Sequence, residues 1–331
     1  MPSEPKVLQF NDCAYVAGTM VNAARRAGIE WDYLPPQQVR PMGPAPRNPL
    51  LAKARFAPFL ARRAAKLWST DVVHVHYGTS ARLIRATGMP RRPYALTLHG
   101  SDIRSQWKDP RFHDEIQRAV DGASHVFYAN TDNVHDATAA RADAEFLPSF
   151  VDVPNLPSWK PASAPKVLFI SRWDDDKGVK RQVQLAEQLA RALAGKAELV
   201  GLNWGPGAQE AERMGVRLLE KMPRAQYHAA LSEAWVGVGQ ASEYFSTSEF
   251  EALTIGLPVA ALGSRLPRPD DGTVPPVMEG NVSDVVEQVL AALADPQAAT
   301  ARLGGRDWAL PRYDAAAYIP KLAALYKGMA G

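Results

Sequence analysis

Between residues 148 and 165 the chain carries five prolines, at positions 148, 154, 157, 161 and 165, with little hydrophobic period of helix or strand. A stretch so rich in proline supports neither element and reads as a linker. On both sides of it the same rhythm runs. Before it, strand-like segments are expected at 6–10, 31–34, 71–76, 94–98, 125–129 and 145–147, with helices over 19–27 and 110–122. After it, strands are expected at 167–170, 198–202, 216–219, 236–240 and 259–262, and helices at 178–193, 223–235, 282–294, 298–308 and 315–329. Short apolar strands alternating with amphipathic helices build parallel sheets covered on both faces. Repeated, they imply two doubly wound α/β domains facing across a cleft, 1–157 and 158–312, followed by a closing helix in 313–331. A chain of 331 residues has the length for two such cores.

The single cysteine, Cys13, excludes a disulfide framework, all but excludes a cysteine-based zinc site, and suits a reducing cytoplasm. No apolar run reaches the ~18 residues of a membrane span, and the N-terminus runs into a strand with no basic-then-apolar leader. A cytoplasmic protein is expected, with peripheral placement at the inner face of the membrane as an option. Charge is unevenly spread. Residues 1–100 hold 14 Lys+Arg against 5 Asp+Glu, +9, which leaves −6 for the rest of a chain whose net charge is +3. The first half is therefore suited to something anionic, or simply has a solvated basic face. Residues 35–49 are too proline-rich for a helix or an inner strand and read as an extended surface loop. The segment 50–68, broken or kinked at Pro58, sets Lys53, Arg55, Arg62, Arg63 and Lys66 among Leu, Ala and Phe. Such a helix can lie on an anionic membrane, or turn its basic face to water.

The densest chemistry falls in Glu243-Tyr-Phe-Ser-Thr-Ser-Glu-Phe-Glu251-Ala-Leu-Thr-Ile-Gly256-Leu-Pro258. Ser246 and Glu249 have capping-box spacing, Gly256 suits a left-handed stop, and Pro258 ends the helix, so a helix over 247–255 follows. Its N-terminus, with the hydroxyls of Ser246, Thr247 and Ser248, can receive a phosphate. Glu251, one turn in, can accept both hydrogens of a ribose diol, and Glu243 can reach what lies beyond the phosphates. The plainer alternative makes Ser248 and Glu251 a capping box of their own.

Upstream, Arg172 and Lys177 stand five apart between a buried strand and a helix. Guanidinium and ammonium together can hold a diphosphate and offset its charge as it leaves, or can pair with Asp174, Asp175 and Asp176 in an exposed turn. Gly18, at a helix entry, lets backbone come close to a ligand. His99-Gly100-Ser101-Asp102 leaves a strand at the edge where such sheets bind ligands. A metal pair from His74 and His76 finds no third ligand.

Taken in order, His99-Gly-Ser-Asp102, Arg172-x4-Lys177-Gly178 and Glu243-x7-Glu251-Ala resemble the motif set of the retaining nucleotide-sugar glycosyltransferases of GT-B fold. The likeness covers nearly the whole chain. It departs at Ala17, where the family has a second glycine, and at Ser171, where it has glycine. The resemblance implies catalytic roles for His99, Arg172, Lys177 and Glu243. It implies a donor site of Gly18, Arg172, Lys177, Glu243, Tyr244, Phe245, Ser246, Thr247 and Glu251, and places Asp102 on the acceptor side. It further implies a UDP- or GDP-linked hexosyl donor, an acceptor sugar, glycolipid or small molecule, retention of configuration, and no metal or other cofactor. Nucleic acid is not an expected partner. Two rivals stay open: a nucleotide-sugar epimerase of the same fold, and a non-catalytic donor-binding subunit. The glycine fingerprint of dinucleotide oxidoreductases, the P-loop pattern and a serine-hydrolase context are all missing.

Overall fold

In the computed structural model the described residues are 4–44 and 46–331, and two units separate cleanly. Unit 1 comprises Met1–Asp152 with Ala315–Gly331, and unit 2 is Val153–Asp314. The chain thus divides at 152/153 and 314/315, beside the sequence-based boundaries of 157/158 and 312/313.

Unit 1 is built on β1 (Val7–Phe10), β2 (Asp32–Leu34), β3 (Val72–His76), β4 (Tyr94–Leu98), β5 (His125–Tyr128) and β6 (Glu145–Phe146). All pair in parallel, in the order β2-β1-β3-β4-β5-β6. The direction of winding reverses between β1 and β3, and a parallel doubly wound sheet leaves a crevice at the carboxyl ends of such a pair. Every residue of β1, β3 and β4 is buried, as expected of strands covered on both faces. The helix Ala315–Ala330 returns to this unit. Its Ile319, Leu322 and Tyr326 share a core with Met20, Ala24 and Trp31, so the last helix and the first are packed together.

Unit 2 repeats the plan with β7 (Lys166–Phe169), β8 (Glu198–Leu202), β9 (Arg217–Leu219), β10 (Val236–Val238), β11 (Val259–Leu262) and β12 (Met278–Gly280), ordered β12-β11-β10-β7-β8-β9. Its reversal falls between β7 and β10. The core around Phe169, Trp173, Leu189, Val236 and Leu262 lies between sheet and helices.

Three local expectations are corrected. The 35–49 segment, of which Ala45 lies outside the described residues, holds a helical turn at Pro36–Val39, because proline at a first turn gives up no intrahelical hydrogen bond. The 50–68 helix breaks at Arg55–Phe56 into Pro49–Ala54 and Ala57–Trp68, and Pro58 sits in the first turn of the second piece. The single helix expected over 298–308 is two, Pro296–Leu303 and Gly305–Tyr313, parted by Gly304 at φ 64°. The strand β12 and the helices Ala81–Ile84 and Ala208–Arg213 escape sequence periodicity because each is too short to show one.

Candidate functional site

In unit 2 the loops leaving β7 and β10 meet over the crevice between those strands. The Ala241 N–H donates to the Lys177 carbonyl at 2.9 Å, and the Ser242 hydroxyl donates to the Asp176 carbonyl at 2.7 Å. Gly178, at φ 74°, is required twice over: the turn is left-handed, and a Cβ there would stand 2.9 Å from the Ala241 Cβ. That turn feeds the helix Val179–Ala192 and aims Lys177 inward. Lys177 is buried, and its Nζ donates to Ser246 Oγ at 2.8 Å and to the Tyr244 hydroxyl at 3.3 Å, with Asp176 Oδ2 at 3.7 Å.

Ser246 caps the helix Thr247–Ile255, which stops at Gly256 with φ 102°, as its sequence requires. The Glu249 carboxylate takes the Ser246 N–H at 3.0 Å and the Gln240 N–H at 3.1 Å, and so fastens helix to strand. Burial pushes the Glu249 carboxyl up, and the nearby Lys177 ammonium and these two N–H donors work against that rise. Ser246 Oγ in turn donates to Gln240 Oε1 at 3.1 Å. Thr247 Oγ1 is buried and has no hydrogen-bond partner in the protein. An ammonium, a helix N-terminus and an orphaned hydroxyl therefore converge where the strand order reverses, which is the arrangement an anion needs.

The remaining residues expected here separate by role. Glu243 is exposed on the loop ahead of the helix. Tyr244 and Phe245 are buried: the Tyr244 ring lies under Lys177 Nζ at 4.9 Å, and the Phe245 ring lies under the Arg265 guanidinium at 5.1 Å. Arg172 does not join Lys177 in this arrangement. Its Nε stands 2.5 Å from Asp174 Oδ2 and its Nη2 3.5 Å from Asp176, with the guanidinium 5.7 Å from the Trp204 ring centre. The exposed-turn alternative thus describes Arg172, whereas Lys177 is turned inward onto Ser246 and Tyr244.

Glu251 takes its partners from a neighbouring helix rather than from its own backbone. It is buried, paired with Arg224, with His228 Nε2 3.3 Å from its Oε1. Burial alone would raise its pKa, but the His228 hydrogen bond and the Arg224 charge outweigh it and hold the carboxyl below the usual range. Arg224 and His228 sit one turn apart on the helix Arg224–Glu233, and nothing in the local pattern points from them to position 251.

In unit 1, Asp102 is completely buried and spent on backbone. It accepts from the N–H groups of Gly78, His99, Gly100 and Ile103, all at 2.9–3.0 Å for the closer oxygen. Its carboxylate shapes the loops after β3 and β4 rather than facing outward, and burial raises its pKa against those four donors. Gly18 is likewise engaged. Its N–H and that of Ala17 both donate to the Asp12 carboxylate at 3.1 Å, and Tyr33 donates to the same group at 2.6 Å. The helix N-terminus at Val16–Arg26 is thereby closed by a side chain of the chain itself, so the close backbone approach expected at Gly18 is taken up internally.

His99, partly exposed at the edge of the crevice, is the end of a buried polar chain. His76 Nε2 donates to Gln9 Oε1 at 3.0 Å, so His76 Nδ1 is bare and accepts from His99 Nε2 at 3.1 Å. Gln9 Nε2 donates to the Tyr326 hydroxyl at 3.2 Å, which lies 2.6 Å from His74 Nδ1, and His74 Nε2 shares a hydrogen bond with the Thr97 hydroxyl at 2.7 Å. With Gln9 so oriented the tautomers of His76 and His99 follow, and His99 is left with a lone pair on Nδ1. Burial pushes His74 and His99 down to about 3, and pushes His76 well down too, with the crowding of imidazoles that cannot all be charged together adding to the effect. All three rings are neutral at pH 7.

Backbone strain marks the same crevice. The four non-glycine residues with positive φ among the described residues are Asn11, Ala14, Tyr15 and Tyr77, all on the loops leaving β1 and β3. Left-handed backbone at such residues costs of order 1–3 kcal/mol each and gathers at functional sites. Asn11 is of a type that visits this region readily, whereas Ala14, Tyr15 and Tyr77 carry no sequence signal. Among the described residues, no three His, Cys, Asp or Glu side chains converge as a metal would need.

Residues 5–147 match the family model described as the glycosyl transferase 4-like domain. Solved structures share the whole architecture. Sucrose-phosphate synthase from Thermosynechococcus elongatus is 17% identical with a TM-score of 0.70, over 98% of both chains. HepE of Anabaena, solved with UDP and glucose, is 14% identical with a TM-score of 0.66, over 98% of this chain and 99% of that one. A UDP-forming α,α-trehalose-phosphate synthase from Burkholderia xenovorans is 13% identical with a TM-score of 0.66, over 99% of this chain and all of the other. No curated protein sequence matches. At these identities the likeness establishes the fold, which is that of the GT-B glycosyltransferases.

Proposed function

We propose that this chain, a glycosyl transferase 4-like domain in its first half and GT-B in fold throughout, moves a hexosyl group from a UDP- or GDP-linked donor to an acceptor hydroxyl with retention of configuration. The observation that carries the reading is Lys177. A buried ammonium 2.8 Å from the residue that caps the helix Thr247–Ile255 supplies two sources of positive potential for one diphosphate. As the bond between sugar and diphosphate breaks, negative charge grows on the leaving oxygens. An ammonium and N–H groups already in place stabilise it without rearranging. The Thr247 hydroxyl, buried and unpartnered, completes the phosphate shell. Arg172 joins once diphosphate competes for it with Asp174 and Asp176, and Glu243, on the exposed loop, meets a sugar hydroxyl.

On this reading His99 presents a neutral imidazole whose bare Nδ1 accepts a hydrogen bond from a sugar. The acceptor is a sugar, a glycolipid or a small molecule. Because protein groups supply the charge at the diphosphate, we further propose that transfer needs no metal, so activity is expected to survive EDTA. Loss on chelation, restored by Mg²⁺ or Mn²⁺, would contradict this.

The test is a product assay. Purified protein with a panel of UDP- and GDP-sugars and an acceptor mixture is expected to release nucleoside diphosphate one-to-one with a glycosylated product, whose anomeric coupling by proton NMR matches the donor's. A donor epimerised with no acceptor consumed would make the chain an epimerase instead. Tight nucleotide binding without turnover on any acceptor would make it a binding subunit.

A further inference from the structure

The helices Pro49–Ala54 and Ala57–Trp68, with the loop before them, hold most of the large apolar side chains that unit 1 exposes. Leu50 is 76% exposed and Trp68 70%, and Met42, Leu51, Phe56 and Leu60 are exposed with them. The first helix buries no residue at all, although its sequence is Pro-Leu-Leu-Ala-Lys-Ala. It is nevertheless built as a helix. Asn48 caps it by accepting from the Leu50 and Leu51 N–H groups, and Arg55 ties its end to the Met42 and Pro44 carbonyls. A capped, braced helix with no buried face is a surface prepared for something else.

Charge says what. From residue 33 to residue 70 the chain has seven Lys or Arg and no Asp or Glu. Arg63 is turned inward onto the Phe59 and Leu83 carbonyls, and Lys66 pairs with Asp32 at 2.9 Å. Arg40, Arg47, Lys53 and Arg62 are exposed. Past the end of the second helix, Arg85, Arg91 and Arg92 rim a cavity of about 180 Å³ beside Leu67, and the positive field continues there. A second copy of this chain meeting it through the same face would bring the same positive charge against it. An anionic surface that also accepts apolar side chains suits both features, and an amphipathic basic helix lying in the plane of a bilayer meets that description.

We propose that residues 48–68 dock unit 1 on an anionic lipid bilayer, with Leu50, Leu51 and Phe56 entering the interface and Lys53 and Arg62 among the anionic headgroups. The proposal stands apart from the catalytic reading, because vesicle binding requires no turnover. The experiment is co-sedimentation of the full chain with phosphatidylcholine vesicles, with and without phosphatidylglycerol, at low and high salt. Wild type is expected on the anionic vesicles only, less so as salt rises, since exposed charges are screened over about 8–10 Å at physiological ionic strength. Lys53→Ser with Arg62→Ser is expected to weaken partition about thirtyfold, at roughly fivefold per charge. Leu50→Ser with Leu51→Ser is expected to abolish stable binding. All four side chains are exposed, so both variants are expected to melt as wild type does, and a melt confirms that each is folded. No binding by wild type at low salt, or equal binding to neutral vesicles, would overturn the proposal. So would a concentration-dependent dimer in sedimentation velocity that the leucine variant loses, which would assign the face to a second copy.

Discussion

The two crevices are built on the same plan and filled in opposite ways. In unit 2 the groups at the strand reversal are ions: Lys177 against Ser246, Glu249 on two N–H groups, Glu251 with Arg224. In unit 1 they are neutral imidazoles joined through Gln9 and Tyr326, and the carboxylates of Asp102 and Asp12 are spent on backbone N–H groups. A crevice that holds an ammonium beside a helix N-terminus can bind and discharge an anion. One whose imidazoles are neutral and whose carboxylates are spent on backbone can orient hydroxyls and place a proton, and can do little for a departing phosphate. The contrast assigns the charged half of the proposed chemistry to unit 2 by electrostatics alone.

The strongest way to break that contrast is to remove the ammonium. Lys177→Ala is expected to lower turnover by a hundredfold or more, equivalent to about 2.7–4 kcal/mol of barrier for one preorganised donor. Arg172→Ala is expected to cost less, because in the free protein Arg172 is already held by Asp174 and Asp176. Steady-state kinetics on both variants decides, and normal turnover in Lys177→Ala removes the assignment. Equal losses would mean that the arginine leaves its aspartates in the complex.

Glu251→Gln sharpens the comparison at a second point. If the carboxylate serves Arg224 and His228, its loss removes the buried acceptor that both face and the protein is expected to lose about 3 kcal/mol, the lower end for a broken buried pair, since Arg224 keeps some solvent. If it serves a ribose, affinity for the nucleoside diphosphate falls and the melting temperature holds. Denaturant unfolding and calorimetry on the same sample separate the two.

The smallest expected effect probes the neutral side. His74 and His99, held near 3, are expected to show no imidazole titration by NMR between pH 7.5 and 5, and the His99 ring to carry its proton on Nε2. Because the unfolded chain takes up protons below about 6.5 that these rings refuse, their contribution to stability is full above that pH and is lost as pH falls toward 3. Asp102, pushed the other way by burial, opposes this at more acid pH. Gln9→Leu removes the group that orients His76, and a mixture of His99 tautomers is the expected spectrum. A His99 ring that titrates near 6.5 in the wild type would show the unit 1 crevice to be as open to charge as that of unit 2.

What could be read from the chain itself shares one property: it is local. Alternating apolar runs, the Ser246–Glu249 cap, the stop at Gly256 and the glycine after Lys177 each depend on residues within a turn or two, and the helix Thr247–Ile255 stands where its sequence places it. Roles that depend on a partner were another matter. Spacing left Glu251 between a ribose and its own backbone, and the structure gives it Arg224, 27 residues earlier. His74 and His76 share a face of β3, which any strand provides, but their partners are Tyr326, 252 residues on from His74, and Gln9, 67 residues before His76. Gly18 looked open until Asp12 and Tyr33 closed on it. Periodicity and capping are written in neighbouring residues because backbone hydrogen bonds and dihedral limits act over a few positions. A buried polar atom takes its partner from whatever the packed core brings within 3 Å, and the proximity of that partner is a property of the tertiary structure.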